Sequence, residues 1–346
     1  MPNPELTVEP FEGDAVAWDS TLESLDGGTF CHRYGWRHVM EDALGHETSW
    51  WVARDASGVA HGVLPLVRVR SRLFGDYLVS MPFLNYGGPV GTESSRIRLA
   101  EASSAQAKAL GVDLLELRTR SELVGSELVE NVRKVTVLKA LPDTTEELWD
   151  TGIKAKLRSQ IRRPMKEGME IRFGRELVEP FYEVFSATMR NLGTPALPIH
   201  FFSAISSAFP DSCLFAVVEL DGVPVASGCG LFWNGEFEIT WAGSSREHAR
   251  MAPNMLLYWG MMEECVRRGL DTFNFGRCSP ESGTHRFKRQ WGSEDHPLPW
   301  LQWSPSGVPS TPDPSSPKFQ AATTVWSRLP LSVTNVIGPR LSRLIP

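Results

Sequence analysis

The sequence predicts a mixed α+β protein made of two copies of one domain, and three observations predict it. Its 346 residues accommodate two domains of ordinary size. A balance of 42% hydrophobic and 22% charged residues is that of a packed globule. The third observation is an internal echo, in which one order of strand, turn, strand, helix and strand signals occurs twice.

Taken in chain order, Trp51-Val52-Ala53-Arg54-Asp55-Ala56-Ser57-Gly58-Val59 reads as strand, tight turn and strand, and Phe215-Ala216-Val217-Val218-Glu219-Leu220-Asp221-Gly222-Val223 repeats it. A Ser-Gly or Asp-Gly pair between apolar runs predicts a hairpin, because glycine takes the positive φ that the turn needs. Further on, Leu110-Gly111-Val112-Asp113-Leu114-Leu115-Glu116-Leu117-Arg118 resembles Arg268-Gly269-Leu270-Asp271-Thr272-Phe273-Asn274-Phe275-Gly276. Each follows a stretch with apolar residues at helical spacing, so each reads as a strand after a helix. The boundaries that follow are 1–140 and 141–303, then a solvated Pro/Ser-rich linker at 304–318 and a tail at 319–346. The tail alternates apolar residues with Arg328, Arg340 and Arg343. It either packs back on the body or lies on a membrane surface, and its prolines favour packing back.

A formal charge of -6 and a pI near 5.8 exclude a dedicated DNA-binding class, whose footprint is a basic domain. Five cysteines without CxxC spacing and eight histidines without HExxH predict neither a disulfide framework nor a metal site. No bound cofactor is expected. The segment Met1 to Asp19 lacks a basic-then-apolar signal pattern, and no run of about eighteen apolar residues occurs. The expectation is a cytoplasmic protein without a transmembrane segment.

Chemistry concentrates in three places. Phe273-Asn274-Phe275 reads as a short buried strand ended by Gly276, followed by Arg277, His285, Arg286, Lys288 and Arg289 around further aromatics. Such a loop suits an anionic or carbonyl-bearing substrate. The segment Lys154 to Gly168 sets Lys154, Arg158 and Arg162 at helical steps on one face, with Arg163 beside them. Like charges at that spacing repel unless an anion lies across them, which makes Arg158, Arg162 and Arg163 candidates for a diphosphate or nucleic-acid backbone; a solvated face is the alternative. Finally, Glu236 to Gly243 reads as a strand and Met251-Ala252-Pro253-Asn254 opens a helix with proline in its first turn. Its unpaired N–H groups, with Asn254, Arg246 and Arg250 nearby, offer an anion site, or simply an ordinary helix start.

Set in order, Phe30-Cys31-His32-Arg33-Tyr34-Gly35-Trp36, Gly62-Val63-Leu64-Pro65-Leu66, Phe74-Gly75, Asn85-Tyr86-Gly87-Gly88-Pro89, Asn191-Leu192-Gly193-Thr194-Pro195, Phe275-Gly276-Arg277, Phe287-Lys288-Arg289-Gln290-Trp291-Gly292 and Gly338-Pro339-Arg340 resemble the FemAB family. Within it, the likeness is to the FemAB-like proteins associated with exosortase/PEP-CTERM systems. The resemblance implies two tandem GNAT-like acyl-CoA N-acyltransferase domains, with mixed sheets flanked by helices. It also implies transfer of an acyl or aminoacyl group, from acyl-CoA or aminoacyl-tRNA, to an amine in cell-envelope or exopolysaccharide biosynthesis. The acceptor would be a small-molecule or lipid-linked envelope precursor, met at the inner face of the membrane. Two alternatives remain open: an aminoacyl-tRNA-dependent transferase of peptidoglycan precursors, and a non-catalytic binding component of an envelope-polysaccharide assembly.

In the family the lysine of the Phe-Lys motif assists at the reacting carbonyl, and that position here is Lys288. With Arg277 it would stabilise a tetrahedral oxyanion. His285 would take the proton of the attacking amine, or is a loop residue bonded to backbone. Tyr86, Trp241 and Tyr258 would line the cleft, or belong to the core.

Overall fold

The computed structural model describes residues 5–309 and 316–346, and the chain divides into two compact units. The first comprises Met1–Lys134, Pro297–Pro312 and Arg343–Pro346; the second comprises Val135–His296 and Asp313–Ser342.

The first unit opens with β1 (Thr7–Pro10), α1 (Ala15–Glu23) and α2 (Gly35–His38), then β2 (Glu47–Arg54), β3 (Ala60–Ser71), β4 (Gly75–Val79) and β5 (Val90–Gly91). Helix α3 (Glu93–Leu110), strand β6 (Leu114–Leu117) and strand β7 (Val129–Ala140) follow. The Thr92 hydroxyl caps the start of α3, and Gly111, at φ +65°, ends it in a left-handed turn. Strands β1 to β4 pair antiparallel in sequence order, and β5 adds beside β3. The crossover through α3 then makes β6 parallel to β4. Leu64, Leu66, Leu78, Leu99, Leu115 and Leu117 form the core between this sheet and α3.

The second unit contains α4 (Thr145–Asp150), α5 (Ala155–Lys166), β8 (Glu170–Phe173), α6 (Val178–Asn191), α7 (Ile199–Ala208), β9 (Cys213–Leu220), β10 (Val223–Trp233) and β11 (Glu236–Ser244). It continues through α8 (Pro253–Arg267), β12 (Thr272–Cys278), α9 (Gly283–Arg289) and the start of β13 (Glu294–Trp303), and ends with α10 (Pro317–Arg328) and α11 (Leu331–Ser342). Strands β8 to β11 pair antiparallel, and β12 lies parallel to β11 after the crossover through α8. The two units thus share one order of elements. The β2–β3 turn closes at Gly58 and the β9–β10 turn at Asp221-Gly222, with φ of +86°, +51° and +76°.

The sixth strand of each sheet is where the expected boundaries fail. In the first unit it is the end of β13, with Leu301 opposite Leu117; in the second it is the end of β7, with Ala140 opposite Thr272. Each copy therefore completes its sheet with a strand from the other stretch of chain, so 297–303 belongs to the first unit rather than to a domain ending at 303. The linker expected at 304–318 lies partly outside the described residues, and α10 already begins at Pro317. Helices α10 and α11 pack on α6.

Candidate active site

Strands β11 and β12 part in mid-course. Their parallel pairing runs through Glu236–Thr272, Phe237–Phe273 and Glu238–Asn274 and stops there, although both strands continue. Two irregularities drive them apart. On β11, Cys229 opposes Trp241 and Gly230 opposes Ile239, so Thr240 is an extra, bulged residue. On β12, Phe275 and Gly276 together oppose the single residue between Leu138 and Thr136, and Gly276 takes φ +71°. The result is a fork open at the carboxyl ends of a parallel pair. Helix α8 runs from the end of β11 back to the start of β12, so its amino end lies at the open end of the fork. Ala252, at φ +58°, and Pro253 turn the chain into it, and no side chain caps its first turn.

A polar junction sits at the point of divergence. Asn274 is fully buried, and its amide donates to Glu236 at 2.8 Å and to Glu238 at 3.0 Å. Its carbonyl oxygen accepts from the Thr136 hydroxyl at 2.9 Å and from the Gly276 N–H at 2.7 Å. One side chain thus fixes two carboxylates and the kinked main chain, with its full hydrogen-bonding capacity used. Glu238 is fully buried as well and also accepts from Thr240 at 3.3 Å.

Lys288 reaches the far prong from α9, whose start is capped by Ser282. Its side chain is 4% exposed, and Nζ donates to the carbonyls of Gly276 at 2.8 Å and Arg277 at 3.0 Å. An ammonium has three donors, and the main chain takes two. Burial lowers its pKa to about 8; the charges of Cys278 and Glu238 act against that shift and Arg277 acts with it. A buried ammonium beside the point where the strands part is suited to meet a carbonyl on which negative charge develops.

Residues 153–289 match the acetyltransferase (GNAT) domain family. Over 140 residues the chain is 26% identical to the UDP-N-acetylmuramoylpentapeptide-lysine N(6)-alanyltransferase of Weissella viridescens, a match covering 39% of each chain. The chain thus spans about two-fifths of the length of that curated relative. The crystal structure of FemX superposes with a TM-score of 0.65 at 14% identity, covering 86% of this chain and 97% of that one. The structure of L-PGS from Bacillus licheniformis gives 0.56 at 14%, covering 96% and 97%. At these identities the superpositions show a common fold.

Several side chains expected in the site do other work in the second unit. Arg158 Nη1 donates to the carbonyls of Trp149, Asp150 and Ile153, at 2.8, 2.9 and 2.8 Å, closing the end of α4 as a helix cap. Arg162 lies over the Trp149 ring at 5.0 Å, and it and Arg163 are exposed. His285 accepts the Glu281 N–H on Nδ1 at 3.0 Å and holds Asp295 through Nε2 at 2.8 Å. Both ring nitrogens are thus engaged within the loop, which is the backbone-bonded role left open beside that of proton acceptor. Trp241 is buried edge-on against Phe201 and Phe202, in the core, whereas Tyr258 is half-buried, stacking on Phe275 and meeting Phe287. Asn254 stands half-buried in the first turn of α8, and Arg277 half-buried on the prong beside Lys288.

Tyr86 belongs to the first unit, where it is fully buried beneath Arg120, at 4.7 Å. There His32 Nε2 meets the Gly88 carbonyl at 2.8 Å, tying the His-Arg-Tyr-Gly-Trp element to the Gly-Gly-Pro loop. A Cβ on Gly88 would stand 2.7 Å from Thr119, which is why glycine is required. Sequence reasoning passed over Glu238, Thr240 and Thr136. Their signal was weak but present, since period-2 alternation places Glu236, Glu238 and Thr240 on one face of an otherwise apolar strand.

Proposed function

We propose that this chain is an N-acyltransferase that moves an acyl or aminoacyl group from an activated ester or thioester to an amine acceptor in cell-envelope biosynthesis. The observation that carries this reading is the buried Lys288 amine at the mouth of the β11–β12 fork. A donor entering the fork would bond main chain where the β11–β12 ladder stops, and its phosphates would face the amino end of α8 near Asn254. The amine nitrogen attacks the carbonyl carbon, and the carbonyl π pair moves onto oxygen, where the remaining Lys288 donor stabilises it. Collapse of that intermediate forms the amide and expels the thiolate or alkoxide, while the amine's proton leaves to solvent. Asn274 and Glu238 hold the fork's shape. Arg277 adds positive charge on the same prong.

The similarity to an alanyltransferase and the FemX fold favour, as a second reading within this chemistry, an aminoacyl-tRNA donor and a peptidoglycan or other lipid-linked precursor. The exposed Arg162 and Arg163 would then contact the tRNA backbone. Among the described residues no helix is long and apolar enough to cross a membrane. We place the protein in the cytoplasm, working at the inner membrane face, and associate it with exosortase-type exopolysaccharide loci on the strength of the sequence resemblance.

The test is a melting-temperature panel with acyl-CoA, aminoacyl-tRNA, UDP-sugar and polyprenyl-diphosphate analogues, followed by transfer assays with whichever donor binds. A shift with acyl-CoA or aminoacyl-tRNA that Lys288→Ala retains while losing turnover supports the transferase. Shifts only with sugar or lipid diphosphates sink it and favour a non-catalytic binding component.

A further inference from the structure

Helix α11 is amphipathic in the wrong sense for a surface helix. Its buried positions are Thr334, Gly338 and Ser342, one helical turn apart. These small residues let it lie close: Ser342 donates to the Ala196 carbonyl at 2.9 Å, and Gly338 sits where a Cβ would be 3.4 Å from the Trp326 ring. The apolar stripe faces outward instead, with Val333, Val336 and Ile337 exposed by 37%, 61% and 42%. Helix α10, against which Gly338 packs, does the same, exposing Phe319 and Val325 by 44% and 62%. A helix that buries its polar side and presents its apolar side lacks its partner.

Charge identifies the partner. From Ser316 to Pro346 the sequence carries Lys318, Arg328, Arg340 and Arg343 and no Asp or Glu, in a chain whose formal charge is -6. Arg328 and Arg340 are exposed, and Arg340 follows Ile337 by three residues, on the outward side. Exposed valine, isoleucine and phenylalanine interleaved with cations, without one acidic residue, fit an anionic bilayer surface, where apolar side chains enter the acyl boundary and arginines meet lipid phosphates. A second copy of the chain would set this cationic face against its own like charge.

We infer that α10 and α11 together dock the protein on anionic membranes. This deepens the membrane-face reading given above and rests on none of the transfer chemistry.

The test is co-flotation of the full-length protein with phosphatidylglycerol/phosphatidylcholine vesicles and with pure phosphatidylcholine vesicles, without donor or acceptor. Two double variants accompany it: Val336→Asp with Ile337→Asp, and Arg328→Glu with Arg340→Glu. All four positions are exposed, and unchanged melting temperatures would show that the variants fold. The expected result is flotation with the anionic vesicles only, weakened by raised salt and lost in both variants, since loss of each arginine charge alone weakens binding about fivefold and its reversal weakens it further. Failure of the wild type to float, or flotation that survives both variants, would overturn the inference. So would a concentration-dependent dimer abolished by the Val336/Ile337 pair, which would assign the face to a second copy.

Discussion

Buried polar groups are held in fixed positions by their hydrogen-bond partners. Asn274 satisfies Glu236, Glu238, Thr136 and Gly276 at once, so Asn274→Ala should lower stability by about 1–3 kcal/mol, read as a fall in melting temperature. Lys288 has its folded pKa lowered to about 8 by burial, below the ordinary lysine value. Between those two pH values the unfolded chain holds a proton that the folded chain lacks, so its contribution to stability rises with pH across that window. Denaturation titrations should therefore show wild type gaining stability relative to Lys288→Met from about pH 8 upward, at up to ~1.4 kcal/mol per pH unit. His32 and His46 behave in the acidic range: burial lowers both to about 4, so the first unit should lose stability as pH falls from about 6.5 toward 4, and no further from these groups below that. Lys288 stood out in the sequence as one of several cations around aromatics, its expected role coming from the family resemblance, but its burial on the Gly276 and Arg277 carbonyls was not legible there. His285 left two roles open because a sequence shows a titratable ring but not the Glu281 N–H and Asp295 that engage it.

At the scale of elements, hairpins and crossover strands were legible, since Gly58, Gly222, Gly111 and Gly269 mark chain reversals and helix ends that only positive φ allows. The fork was not legible. It arises from bulges at Thr240 and at Phe275-Gly276, each defined by its partner strand rather than by its own residues. The basic helix α5 shows the same limit. Its Lys154, Arg158 and Arg162 spacing suggested one anion-binding face, yet Arg158 turns to the carbonyls that end α4, while Arg162 lies on Trp149. Arg158→Ala should accordingly cost about 2 kcal/mol of stability and leave donor affinity unchanged, whereas an anion ligand would show the reverse in a binding titration.

For the whole molecule, the repeat in the sequence corresponds to two units with the same order of strands and helices. What the repeat concealed is the exchange of the sixth strands, because a strand's partner is fixed by pairing across the fold: Leu301 finds Leu117, and Ala140 finds Thr272. Cutting the chain at residue 140 would therefore deprive the first unit of β13, and such a fragment should fail to give a cooperative thermal transition. The proposed role of Lys288 is to stabilise the charge developing at the acyl carbonyl in the second unit's fork. Its most direct test is kcat for acyl transfer across pH, measured alongside donor Kd, in wild type and Lys288→Met. The account predicts a wild-type rate that falls as pH rises through about 8, and a variant slower by on the order of a hundredfold, with donor affinity retained and that pH limb gone. A variant that matches the wild-type kcat and keeps its pH profile would contradict it.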